Sequence, residues 1–148
     1  MTFNTVGYVR MMVRRTQLLN ELVQSGIPFV LFETDFVWFE NPLPDFVELA
    51  QKDNLDLVGT VSAVRDQIMC GGFIYFRNTL RTRAVWAEVF RRMQVLESKM
   101  SSMNNKDKSP PMQNEQRYLN TLLKVHSMQT SGQNRKQRQE QGCNTLFS

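Results

Sequence analysis

Long apolar runs are missing from this sequence. None of its 148 residues belongs to a stretch approaching the roughly 18 consecutive apolar residues of a membrane-spanning helix. The basic segment and short apolar core of a secretory signal are not seen either, and no Asn-x-Ser/Thr acceptor occurs. Cysteine and histidine are scarce. Two cysteines, Cys70 and Cys143, cannot build a disulfide framework. Neither has zinc-ligand spacing to the lone His126, so we read His126 and Cys143 as structural or incidental. Strong charge bias is absent as well: 18 Lys and Arg against 14 Asp and Glu leave a net charge of +4. The basic residues are spread along the chain, apart from a cluster at Arg135, Lys136 and Arg138, and no aromatics interleave with that cluster. A nucleic-acid scaffold using this tail would bind with steep salt dependence, but the pattern does not favour it. The apolar share, 41%, is enough for a buried core in a single domain.

Apolar periodicity places the elements. Val6, Val9, Val13, Leu19, Leu22 and Val23 form a stripe at helical spacing over residues 5–25. Thr5 suits its N-cap and Gly26 its C-terminal stop, with Pro28 just beyond. A strand is expected over 29–33, a short helix over 45–51, and strands over 55–61 and 73–77. A long helix over 80–98 carries Val85, Trp86, Val89, Phe90, Met93 and Leu96. A polar loop follows over 101–113, then a helix over 114–125 with Tyr118, Leu119, Leu122 and Leu123 inward. Residues 127–148 are rich in polar residues and are expected to form a disordered tail. The order helix–strand–helix–strand–strand–helix–helix predicts an α/β fold with a mixed or parallel sheet.

The chemistry concentrates in Phe29-Val-Leu-Phe-Glu-Thr-Asp-Phe-Val-Trp-Phe-Glu-Asn-Pro42. The apolar opening has the pattern of a strand buried on both faces. It ends in two carboxylates, Glu33 and Asp35, which point the same way on an extended backbone. Buried and unpaired they would cost several kcal/mol each, so they are expected at the strand's carboxyl end, where open α/β sheets bind ligands. Two converging carboxylates suit a hard divalent cation, which in turn holds phosphate oxygens.

Glu33-Thr-Asp-Phe-Val-Trp38 resembles the Asp-x-Asp-x-x-Trp segment of the nucleotide-diphospho-sugar transferase family, retaining glycosyltransferases of GT-A fold that include xylosyl- and arabinosyltransferases. Arg15-Thr-Gln-Leu-Leu-Asn-Glu-Leu-Val-Gln-Ser-Gly26 is similar to the family's helix before the metal strand, and Asn41-Pro-Leu-Pro44 to the turn after it. Gly71-Gly-Phe-Ile-Tyr-Phe-Arg77 is similar to its Gly-Gly-Phe strand, and Asn114-Glu-Gln116 falls where it carries Asp-Gln. The resemblance covers roughly residues 8–125.

It implies a GT-A (Rossmann-like) domain over 1–126, incomplete at its N-terminus because the nucleotide-binding first half is expected upstream of the acidic strand. The implied activity is metal-dependent, retaining transfer of a sugar from a UDP-sugar to a glycan or protein acceptor. Glu33 and Asp35, a DxD-like pair, would hold Mn²⁺ or Mg²⁺. Arg15 would reach a phosphate. Asp66, Cys70, Gly71 and Gly72 would line the sugar pocket, and Glu115 and Gln116 would face the anomeric centre. The implied compartment is the Golgi lumen, with the cytoplasm as the alternative.

Three departures stand out: Glu33 and Glu115 each add a methylene to the family's Asp, and Cys70 replaces a sugar-binding Asn. They leave open a non-catalytic fragment or binding remnant. Structural readings also exist for each residue: solvated acids at a strand end with a helix-capping role for Glu33 and Asp35, a tight turn into a strand for Gly71 and Gly72, which also permit a bulge, and a turn cap for Asp66. For Glu115 the reading is an acidic helix start, and for Arg15 a solvated head on a buried stem.

Overall fold

The computed structural model describes residues 5–34, 37, 39–61, 69–109 and 114–134, with side chains through Lys124. Its elements follow the expected order: α1 (Val6–Gln24), β1 (Phe29–Phe32), α2 (Leu43–Lys52), β2 (Leu57–Val61), β3 (Met69–Phe76), α3 (Leu80–Lys99) and α4 (Glu115–Asn134). Contacts group the chain into two compact units, Met1–Ile27 with Asn78–Leu119 and Pro28–Arg77 with Asn120–Ser148.

The first unit is helical. Thr5 caps α1 as expected, its hydroxyl accepting from the Tyr8 N–H at 3.3 Å. Gly26 takes φ 88° just past the helix end, the left-handed conformation that a glycine stop supplies. The buried face of α1 is Val6, Val9, Met12, Val13, Thr16, Leu19 and Val23. Leu22, expected on that stripe, is exposed; Met12 and Thr16 complete the face instead. Thr16 is tolerated there because its hydroxyl donates to the Met12 carbonyl at 2.7 Å.

Helix α3 presents Thr82, Trp86, Val89, Met93 and Leu96 inward, while Val85 and Phe90 are only half-buried. The fully buried Trp86 ring donates its N–H to the Thr16 carbonyl at 3.4 Å. Val6, Val9, Met12, Val13, Met93, Leu96 and Met100 make one apolar cluster, flanked by Tyr8, Met103 and Tyr118. Arg10 secures the turn after α3, donating to the Met100 and Met103 carbonyls at 3.1 Å each.

The second unit holds a three-stranded sheet of order β1-β3-β2. Both pairings are antiparallel, which corrects the expected mixed or parallel sheet. β1 and β2 run the same way and are joined through α2, but β3 returns between them. The result is a β-α-β crossover split by an inserted strand. The strand buried on both faces is therefore β3, where Gly72 through Phe76 are all buried. Among the described residues β1 pairs on one side only; it is half-buried and its last residue, Phe32, is exposed. A continuous apolar run does not tell these two positions apart. Ala50, Leu55, Val58 and Tyr75 form the core between α2 and the sheet, with Phe46 against Phe73 at 4.6 Å between centroids.

β3 begins at Met69, four residues before its expected start, so Gly71 and Gly72 lie inside the strand. Helix α4 also exceeds expectation, continuing to Asn134. Apolar periodicity stops at Leu123, and the Ser, Thr, Gly and Asn residues beyond it carry no helix signal of their own.

Two predictions arise from the fold. A Cβ built on Gly59 would lie 2.8 Å from the Phe73 carbonyl oxygen, closer than real Cβ atoms come. Gly59→Ala should lower unfolding free energy in urea by about 1–3 kcal/mol; wild-type stability in that variant would refute the close approach. On α3, hydrogen bonds from Arg91 and then Arg92 hold the Glu88 carboxyl down to about 2, from 4.5. The stabilisation is present above pH 4.5 and lost as pH falls toward 2. Glu88→Gln should flatten the melting temperature against pH across that window.

Candidate functional site

In the second unit, the antiparallel register brings the carboxyl ends of β1 and β2 beside the start of β3. Phe32 faces Phe73, and Val61 faces Met69. Glu33 follows β1 directly; its backbone N–H donates to the Gly72 carbonyl at 2.9 Å. The side chain of Glu33 is exposed. The structure thus brings together Glu33 and Gly72, which the sequence placed in separate motifs.

Gly71 and Gly72 coincide with an irregularity in the ladder. On the β2 side the pairing jumps from Gly59↔Ile74 to Val61↔Met69, so Cys70 to Phe73 bulge out of register with β2. The bulge is one of the roles expected of the glycine pair, and bulges recur where a sheet re-aims groups toward a site. Cys70 lies within the bulge, half-buried, with a free thiol. Asp35, Trp38 and Asp66 lie outside the described residues.

Asn120 was missed from sequence. Only 2% exposed, it is among the most buried polar residues described. Its side-chain oxygen accepts from the Met69 N–H at 2.7 Å, and its NH₂ donates to the Met69 carbonyl at 2.9 Å. One amide therefore satisfies both backbone groups at the first residue of β3, two positions before Gly71. The available signal was a polar residue within the apolar stripe of α4, between Leu119 and Leu122. Buried amides are retained when both ends are satisfied.

In the first unit, Asn114 caps α4, accepting from the Arg117 N–H at 2.9 Å. Glu115 is the first helical residue. It is nearly buried, and its Oε1 accepts from the Arg15 guanidinium at 2.9 Å. A carboxylate at this depth requires a partner, and the helix N-terminus also favours its charge. Gln116 beside it is half-buried. Arg15 and Glu115, expected to serve different parts of a substrate, are in contact with each other.

The nucleotide-diphospho-sugar transferase model matches residues 1–141. The chain belongs to this family. No curated protein and no solved structure matches it. Family membership implies a nucleotide-sugar donor and points to glycosyl transfer. Among the described residues, no helix is long and apolar enough to cross a membrane, and no cluster of three or more His, Cys, Asp or Glu could hold a metal. Glu33 nonetheless fits a divalent cation of the diphosphate-binding kind. Such ions take one or two protein carboxylates and complete their shell with water and phosphate oxygens, and Glu33 offers a hard, exposed oxygen donor on a pinned backbone.

The Asn120 clamp is testable on its own. In Asn120→Leu, the Met69 N–H and C=O lose their two hydrogen bonds to the amide, at about 0.5–1.5 kcal/mol each. The Met69 amide should change from protected to rapidly exchanging in hydrogen-exchange experiments. Unchanged protection would show that the clamp does not hold the start of β3.

Proposed function

We propose that this chain is a metal-dependent glycosyltransferase of the GT-A kind. It acts on a UDP-sugar and transfers the sugar, with retention, to a glycan or protein acceptor. The motif resemblance favours xylosyl- or arabinosyl-type donors and the Golgi lumen as the working compartment.

The observation that carries this reading is the sheet end where Glu33, exposed at the end of β1, is bonded through its backbone to Gly72 inside the β3 bulge. An acid at the carboxyl end of β1, beside a glycine pair near the start of β3, suits a diphosphate site. The family match over residues 1–141 supports the donor class.

In this reading Glu33 and Asp35 hold Mn²⁺ or Mg²⁺. The bound ion supplies Lewis-acid stabilisation of charge on the departing nucleotide. Gly71 and Gly72 let the backbone approach the sugar, with Cys70 beside them, and Asp66 takes donor-sugar hydroxyls. Glu115 supplies negative charge toward an oxocarbenium-like centre, and Gln116 a hydrogen-bonding amide. A diphosphate oxygen of the leaving nucleotide takes the acceptor's proton, so no separate base is required.

The test is calorimetric titration of the chain with UDP, with and without Mn²⁺, beside the Glu33→Ala/Asp35→Ala variant. Manganese-dependent binding, weakened at least about tenfold in the variant, is the expected outcome; a tenfold loss corresponds to about 1.4 kcal/mol. A folded chain that binds no UDP would instead be a non-catalytic remnant of the fold.

A further inference from the structure

We infer that Arg15 is a positioning residue for Glu115 and does not itself bind a phosphate. The inference rests on the glycosyl-transfer reading above and refines it.

Arg15 lies at the border of α1's buried face, between Met12 and Leu19, with its side chain 31% exposed. Residues 15 and 115 are distant in sequence, yet the guanidinium meets the Glu115 carboxylate at 2.9 Å. Glu115 is much the deeper of the two, at 9% side-chain exposure. That asymmetry decides the direction of dependence. Arg15 has access to water and stays solvated without Glu115; for the deeper Glu115, losing this guanidinium costs more, because water replaces it less readily.

Recruiting Arg15 to a phosphate would strip the carboxylate of this partner. Keeping it in place fixes the carboxylate at one end, while the Asn114 cap fixes the helix start at the other. A planar, permanently charged guanidinium suits this task better than an ammonium, because its orientation is set by its own geometry.

The experiment uses the full chain with Mn²⁺, measuring UDP affinity by calorimetry and UDP release from UDP-xylose and UDP-arabinose. Wild type, Arg15→Gln, Arg15→Lys, Glu115→Gln and the Arg15→Gln/Glu115→Gln double variant are compared. In Arg15→Gln, we expect UDP affinity and donor KM within about twofold of wild type and kcat lower by about 10- to 100-fold, the range that small misplacements of a reacting group produce. Arg15→Lys should recover part of kcat. The double variant should be no slower than Glu115→Gln alone, because the two residues act as one unit.

The double variant also removes both charges together, so it remains informative should Arg15→Gln alone fail to fold. A tenfold loss of UDP affinity in Arg15→Lys or Arg15→Gln with kcat retained would overturn the inference in favour of a phosphate contact. Additive losses in the double variant would overturn it in favour of independent roles. A wild-type chain that binds no UDP removes the glycosyl-transfer reading itself, and the inference with it.

Discussion

The second unit depends on one constraint: β3 must pair on both of its edges at once. β1 and β2 run in the same direction and are not paired with each other, so among the described residues the sheet's strand pairings all pass through β3. This explains why β3 is buried along Gly72 to Phe76 while the edge strand β1 is only half-buried. It also explains Gly59, which sits where β2 comes too close to the Phe73 carbonyl for any side chain. The bulge at Cys70 to Phe73 lies at the start of β3, and two of its residues, Gly72 and Phe73, continue the pairing toward β1 while it is interrupted toward β2. Structural strictness and a candidate ligand edge meet on one strand.

The element order was legible from apolar periodicity, because helices and strands here differ cleanly in period. Helix caps were legible too: Thr5 and Gly26 behave as their chemistry requires. Strand direction was not. A run such as Phe29–Phe32 reads identically whether the strand lies at a sheet's centre or edge, and whether its neighbour runs with it or against it. Pairing is a long-range property, and single-strand patterns carry no record of it. The start of β3 was missed for a related reason. Met69 and Cys70 precede two glycines, which read locally as a turn, whereas the Asn120 amide and the neighbouring strands hold that segment extended.

The candidate site was legible as a set of residue types and illegible as a set of contacts. Glu33, Gly72, Arg15 and Glu115 were all singled out by motif. Their partners were not, since each bond joins residues far apart in sequence. Burial is what converts such residues into pairs. Glu115 at the start of α4 is too deep to stand alone, so a distant arginine becomes part of its chemistry. Asn120 follows the same rule with uncharged groups: a buried amide is tolerated only when both its ends are used.

The two units differ in the kind of apolar matter they contain. The helical unit is built around Met12, Met93, Met100 and Met103 among valines and leucines; the sheet unit relies on aromatic rings and branched chains such as Phe46, Phe73, Tyr75 and Val58. Thioether chains are unbranched and bend to fill whatever volume is offered. Over evolutionary time, the helical core should therefore drift through many combinations of similar total volume, while the sheet core, with its interlocking shapes, should change slowly. Two halves of one chain would then age at different rates, and sequence divergence among descendants would accumulate on the methionine side first.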